Sequence, residues 1–187
     1  PELGSGWHAA RDGQLLVLSR FPILAATPSP RGEGRWYSPG LRCEIDTPGG
    51  PLHVHCVHLY TLRKGLEAIM GQKWRGIPEM KRVIGIRNNE SEVCSQFARE
   101  SRKIPTIVLG DFNMTGDSVV FRDHWDAWQD AFAVCGWGCG YTFGTRKIGL
   151  RIDHILSDPI HCQPLSCRVG PDFHGQHRPL VADLWVR

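Results

Sequence analysis

No run of residues is long and apolar enough to span a bilayer, so nothing in this 187-residue chain reads as a transmembrane segment. No dense block of Lys or Arg marks a nucleic-acid-binding tail. The formal net charge is only +3, which permits a polyanionic ligand without demanding one. No cysteine spacing matches a zinc ribbon, and the Cys count of 7 is odd, so the thiols cannot all pair internally. Cys135 with Cys139, and Cys162 with Cys167, are near enough in sequence for disulfides or thiol pairs, but buried idle thiols are the expectation. Internal repeats and low-complexity linkers are absent as well. Residues 1–6 lack the basic start and apolar stretch of a signal peptide.

What is present suits one folded domain. Hydrophobic residues make up 41% and charged residues 22%, and the length allows a real core. Short apolar segments bounded by turn residues predict strands over residues 14–19, 41–46, 52–59, 106–110, 150–156, 166–169 and 180–186. Between the second and third, Thr47-Pro48-Gly49-Gly50-Pro51 predicts a hairpin turn. Helices are predicted over residues 64–71 and 78–102. In the longer one Val83, Ile86, Val93 and Phe97 form the apolar face, with Glu90 and Glu92 outside, and Pro105 stops it. Residues 118–133 read as short helices, and the Pro-, Gly- and Arg-rich stretch 29–40 as an exposed loop. Many strands with few long helices predict an α+β fold of packed sheets flanked by helices.

Four segments carry chemistry. Leu109-Gly110-Asp111-Phe112-Asn113 ends an apolar strand in an acid and an amide two residues apart, which can face the same way. An Asp there can bind a hard cation or manage a proton, and an Asn can donate to a phosphate oxygen; an Asx turn ending the strand is equally consistent. Arg151-Ile152-Asp153 sets a carboxylate within an apolar strand, where it must be paired, hydrogen-bonded or metal-bound. His177 precedes the last strand, and its pKa range suits water activation or donation to phosphate. In Leu52-His53-Val54-His55-Cys56-Val57-His58-Leu59, alternation puts His58 on one face with Val54 and Cys56, and His53 and His55 on the other.

The ordered set is specific. Leu18-Ser19-Arg20-Phe21-Pro22-Ile23, a strand bearing Arg42, Val57-His58-Leu59 and Gly110-Asp111-Phe112-Asn113 come first. Asp126-Ala127-Trp128, Tyr141-Thr142-Phe143, Arg151-Ile152-Asp153 and His177-Arg178-Pro179-Leu180 follow. Together they resemble the endonuclease/exonuclease/phosphatase (deoxyribonuclease I-like) superfamily over nearly the whole chain. The resemblance implies an α+β, four-layer α/β/β/α sandwich of two mainly antiparallel sheets, one domain over residues 1–187, incomplete at its N-terminus. It implies a metal-dependent phosphoesterase using Mg²⁺, with Mn²⁺ as an alternative. The substrate would be a phosphate ester: a nucleic acid, a phospholipid head group or a small phosphate ester.

By the same resemblance Asp111 and Asn113 hold the metal, the attacking water or the scissile phosphate. Asp153 orients His177, and His177 contacts phosphate or takes a proton from water. His58 donates to a phosphate oxygen, and Arg42 is carried as a substrate-binding residue beside the site. Residues 60–102 are the expected place for substrate selectivity. Two departures stand out. The family's early strands, whose glutamate is its main metal ligand, have no counterpart and are expected upstream of Pro1, since Glu2, Glu33 and Glu44 lie in other contexts. Gly175-Gln176-His177 stands where the family carries Ser-Asp-His, so Gln176 brings no charge. These departures keep a non-catalytic phosphate-ligand binding module as the alternative. A zinc site built on His53 and His55 is a further one.

Overall fold

Alternation of apolar and polar side chains builds most of the strands, and it fails as a guide where a strand lies at an edge or carries the site. The computed structural model describes residues 6–32, 36–101, 103–144 and 149–187. The chain opens with β1 (His8–Asp12), β2 (Leu15–Ser19), β3 (Ile23–Pro28), β4 (Gly40–Thr47) and β5 (Gly50–His58). Helix α1 (Arg63–Gln72), a 3₁₀ turn (Lys73–Gly76) and helix α2 (Ile77–Glu100) lead to β6 (Thr106–Asp111). Then come α3 (Val119–Trp125), β7 (Gln129–Asp130), α4 (Ala131–Cys135), β8 (Phe143–Gly144) and β9 (Gly149–Leu150). The chain closes with β10 (Asp153–Ser157), β11 (Cys162–Val169) and β12 (Leu180–Val186).

The central sheet has strand order β3-β4-β5-β6-β10-β7. Its pairs are antiparallel except β5 with β6, which run parallel because two helices intervene between them. Helices α2 and α3 cover one face, where Val57, Leu59, Cys94, Ala98, Val108, Phe112, Phe121, Trp125 and Leu156 form the largest core. On the other face β2 contributes Leu15 and Val17 to a core with Leu41, Cys43, Ile45 and Val54. The β11–β12 hairpin packs with α4 around Ala131, Phe132 and Cys167, with Ile155 of β10 against them. The molecule is thus a mixed α+β sandwich of sheets, as predicted. Its second layer consists of two hairpins, β1–β2 and β11–β12, which form separate sheets.

The turn at residues 47–51 and the seven predicted strands correspond to observed elements. Four strands carry no sequence signal: β1 and β3 are mostly exposed, so neither alternates, and β7 and β8 are only two residues each. The second predicted helix differs in its buried face, and the end placed at Arg102 lies outside the described residues. Glu90, expected on the outside, is completely buried, whereas Ile86, Val93 and Phe97 are only half-buried. The inward stripe is Val83, Arg87, Glu90, Ser91, Cys94, Ser95 and Ala98. The reason is that this face meets backbone as well as core. Glu90 accepts the Tyr60 N–H at 2.7 Å, Arg87 donates to the Asn113 carbonyl at 2.8 Å, and Ser91 accepts from the Trp125 indole. A hydrophobicity pattern cannot see a helix face selected for hydrogen bonding. All seven cysteines are free.

Candidate functional site

Register assembles the site. His58 is level with Asp111 across the parallel β5–β6 pair, and Asp111 is level with Asp153 across the antiparallel β6–β10 pair. Three neighbouring strands therefore present His58, Asp111 and Asp153 side by side at one end of the sheet. Facing them, His177 enters just before β12. Its Nδ1 lies 2.8 Å from Asp153 Oδ2, and its ring packs at a tilt against Phe143, with the ring centres 5.1 Å apart. That bond directs Nε2 toward Asp111, whose Oδ2 is 3.9 Å away; His58 Nε2 approaches the same oxygen to 3.7 Å. Both distances are too long for a direct hydrogen bond.

The turn after β6 is tightly specified. Gly110 has φ +139°, and a Cβ there would meet the Val57 carbonyl oxygen at 2.0 Å, so only glycine permits the close approach of β5 and β6 at this point. Asn113 adopts φ 52°, a left-handed conformation that Asn tolerates better than most residues. Its backbone N–H donates to Asp111 Oδ1 at 2.8 Å. Its side-chain amide donates to the Leu59 carbonyl at 2.8 Å and to Asp111 Oδ2 at 3.1 Å. The Asx-turn reading and the site reading thus describe the same residues. Phe112 points the opposite way, fully buried against Phe121, Trp125 and His154.

Electrostatically the site sets two part-buried carboxylates close together. Burial raises the Asp111 pKa, and Asp153 adds to the rise; the Asn113 N–H, His177 and His58 pull the other way. Among the described residues, Asp111, Asp153 and His177 form the one group of three whose ligand atoms all lie within 4.8 Å of one another. Two carboxylates and an imidazole converging in this way suit a divalent cation, which would relieve the repulsion that burial imposes.

Arg42 is not brought to this cluster. It donates to Ser101 Oγ at 3.0 Å and lies over the Phe97 ring, facing a cavity of about 270 Å³ shared with Glu44, His53 and Glu100 near the opposite end of the sheet. His53 and His55 face the same side of β5 as each other and not as His58, as alternation requires, and among the described residues belong to no three-ligand group. Glu44 sits 3.9 Å from His53; Glu2 and Glu33 lie outside the described residues. Gln176 is exposed beside His177.

Sequence reasoning missed the support behind the site. Asp126, part of the quoted Asp-Ala-Trp segment, is exposed at the end of α3, whereas Asp130 is drawn inward. Asp130 Oδ2 binds Arg151 Nη1 and His154 Nδ1, and the other ring nitrogen of His154 donates to the Met114 carbonyl at 2.9 Å. Burial works to raise the Asp130 pKa, but His154 and Arg151 outweigh it and hold the carboxyl at about 2. The loop from Asp111 to Met114 is therefore clamped from α2 by Arg87 and from β10 by His154. A usable signal existed, since Asp130 precedes an apolar run and caps α4 through its bonds to Phe132 and Ala133 N–H.

Comparison with known proteins fits this geometry. The profile of the Endonuclease/Exonuclease/phosphatase family matches residues 6–177. No curated protein matches the chain. Among solved structures, an endonuclease/exonuclease/phosphatase family protein from Bacteroides thetaiotaomicron is similar with a TM-score of 0.68 at 14% identity, covering 96% of this chain and 75% of that one. An AP endonuclease from Archaeoglobus fulgidus gives 0.67 at 15% identity, covering 95% and 79%. A mannosyl-6-phosphatase from Bacteroides thetaiotaomicron gives 0.63 at 14% identity, covering 97% and 78%. At such identities these likenesses concern the fold.

Proposed function

The chain belongs to the Endonuclease/Exonuclease/phosphatase family, and from that premise we propose that it hydrolyses phosphate esters by in-line attack of water at the cluster of His58, Asp111, Asn113, Asp153 and His177. The observation that carries the reading is the register of β5, β6 and β10, which lines up His58, Asp111 and Asp153 opposite His177. Water, or a phosphate oxygen bridged by a cation, held between His58, His177 and Asp111 would contact the ends of β5 and β6 and the entry to β12 at once.

The division of labour follows from the bonds. Asp153 accepts the Nδ1 proton of His177, fixing the tautomer and leaving Nε2 to take a proton from water or to face phosphate. His58, on the far side of Asp111, donates to a phosphate oxygen. Asn113 keeps Asp111 in place through two bonds of its own, and its side-chain amide also ties the loop to the Leu59 carbonyl at the end of β5. Asp111, with Asp153 and His177 close by, would hold Mg²⁺ or Mn²⁺, the fit resting on the raised Asp111 pKa and the three converging ligand atoms. Such an ion supplies positive charge to the phosphate oxygens and lowers the pKa of bound water. Asn113 and a further acidic side chain beyond these three would complete its shell.

The substrate could be a nucleic acid, a phospholipid head group or a small phosphate ester, since phosphate contacts are common to all three. Release of p-nitrophenol from bis-p-nitrophenyl phosphate tests the reading. Turnover that needs Mg²⁺ or Mn²⁺ and stops with EDTA is expected. An ordered chain that binds phosphate esters without metal-dependent turnover would instead establish the binding module that the uncharged Gln176 favours.

A further inference from the structure

The segment between β5 and β6 does more than connect them. Arg87 and Glu90 of α2 bond to Asn113 and Tyr60, so this part of the helix is level with the site. The residues of α2 before Arg87 then overhang the strand ends by about 10–15 Å, at 1.5 Å per residue. Helix α1 packs antiparallel along this overhang. The fit is close, because a Cβ on Gly76 would meet the Ala68 backbone at 2.3 Å and one on Gly65 would meet Met80. The result is a helical hairpin projecting beside the site.

Its tip is apolar and basic. Met70 is 83% exposed and Trp74 81%, with Leu66 and Ile77 also exposed next to them in the hairpin. Leu66 and Met70, one turn apart, share a face of α1. Lys73 and Arg75 are exposed on either side of Trp74, and Arg63 and Lys64 are exposed at the start of α1. Between residues 63 and 82 there are six Lys or Arg and two Glu, and one of those, Glu79, is already bound by Arg82 at 2.7 Å. On the same edge of the sandwich Trp36 is 79% exposed, in the loop whose Pro39 carbonyl accepts from His58 N–H. Phe173 is exposed in the loop before His177.

We propose that this hairpin tip docks on an anionic lipid bilayer, with Met70 and Trp74 entering the interface and the Lys and Arg side chains engaging acidic head groups. An interfacial element buries its apolar side chains roughly 5–10 Å deep. Given the overhang, that depth would bring the end of the sheet to head-group height. Large apolar side chains on three separate elements around one rim suit a broad, deformable surface. Trp36, Trp74 and Phe173 carry rings able to stack on bases, whereas Leu66, Met70 and Ile77 beside them do not, so a single-stranded nucleic acid is the rival occupant that the oligonucleotide arm of the test separates. The docking surface goes beyond the phosphoesterase reading and rests on it only in placing that chemistry against head groups.

Co-sedimentation with phosphatidylcholine vesicles, with and without phosphatidylglycerol, tests the proposal on the whole chain. Binding should require phosphatidylglycerol, and the Met70→Ser/Trp74→Ser double variant should lose at least about tenfold in affinity while keeping its circular dichroism and its turnover of a soluble phosphodiester. His177→Ala should bind vesicles like the parent. Absence of vesicle binding by the parent, or equal binding by the double variant, overturns the proposal even if soluble turnover is intact. So does loss of oligonucleotide binding in that variant when vesicles are ignored, which would make the tip a nucleic-acid surface. Tip-dependent vesicle binding without any phosphoesterase turnover would leave the docking surface standing and remove the catalytic reading alone.

Discussion

Residues 53–58 of strand β5 carry histidines at both ends, and the two ends have become different things. At one end His53 and His55 lie against Arg42, Ser101 and Phe97. Burial, with Arg42 and His53 adding to it, pushes His55 down to about 3, so it stays neutral and bonds Ser101 at 3.1 Å. At the other end His58 meets Asp111, and through it Asp153 and His177. The two places differ in what meets the imidazoles: Arg42 and Ser101 at one, and at the other carboxylates delivered in register from adjacent strands, whose part-buried charge a cation, a proton or an imidazole can answer.

The sharpest way to break this contrast is at Asp111 and His177. Asp111→Asn or His177→Ala should lower phosphodiester kcat/KM by roughly a thousandfold or more with the fold retained, as expected for groups that act on the reacting atoms. Losses below tenfold in both would move the chemistry elsewhere.

A smaller effect is expected one layer back. Asp130→Asn loosens His154 and with it the Met114 carbonyl, and should cost about ten- to a hundredfold in kcat with a lesser change in KM. It should also cost about 2 kcal/mol of stability at neutral pH, from the gap between the ordinary carboxylate value and about 2. Because the folded-state pKa is depressed, that contribution is present above the unfolded pKa near 3.8 and is lost as pH falls through about 2. Denaturation midpoints measured against pH should therefore show parent and variant converging between pH 4 and 2; a constant gap would mean that the aspartate acts by packing.

The smallest effect on activity belongs to the far end. His55→Ala should change kcat/KM by less than about threefold while lowering stability by about 1–3 kcal/mol, through loss of a buried ring and its bond to Ser101. A loss comparable to that of His177→Ala would erase the distinction between the two ends.

Much of this was legible in the sequence. The apolar run before Asp111, the alternation around His58 and the ordered spacing of Asp153 and His177 led to the strands that carry these residues and to the faces they occupy. Four things escaped, each for a physical reason. The edge strands β1 and β3 bury too little to alternate. The buried face of α2 is partly polar because Arg87 and Glu90 satisfy loop backbone, so a hydrophobic period pointed Glu90 the wrong way. Arg42 sat near His58 in the ordering of strands, but its side chain follows the helix side of the sheet to Ser101. Asp130 was hidden by a neighbouring aspartate, although its capping position before α4 distinguished it.

Paramagnetic broadening by Mn²⁺ compares the two ends of β5 in one experiment. In an NMR titration of the imidazole signals, substoichiometric Mn²⁺ should broaden His58 and His177 first and leave His53 and His55 sharp. Broadening of His53 and His55 with His58 and His177 unaffected would contradict the assignment of the ion, and of the phosphate chemistry, to the Asp111 end.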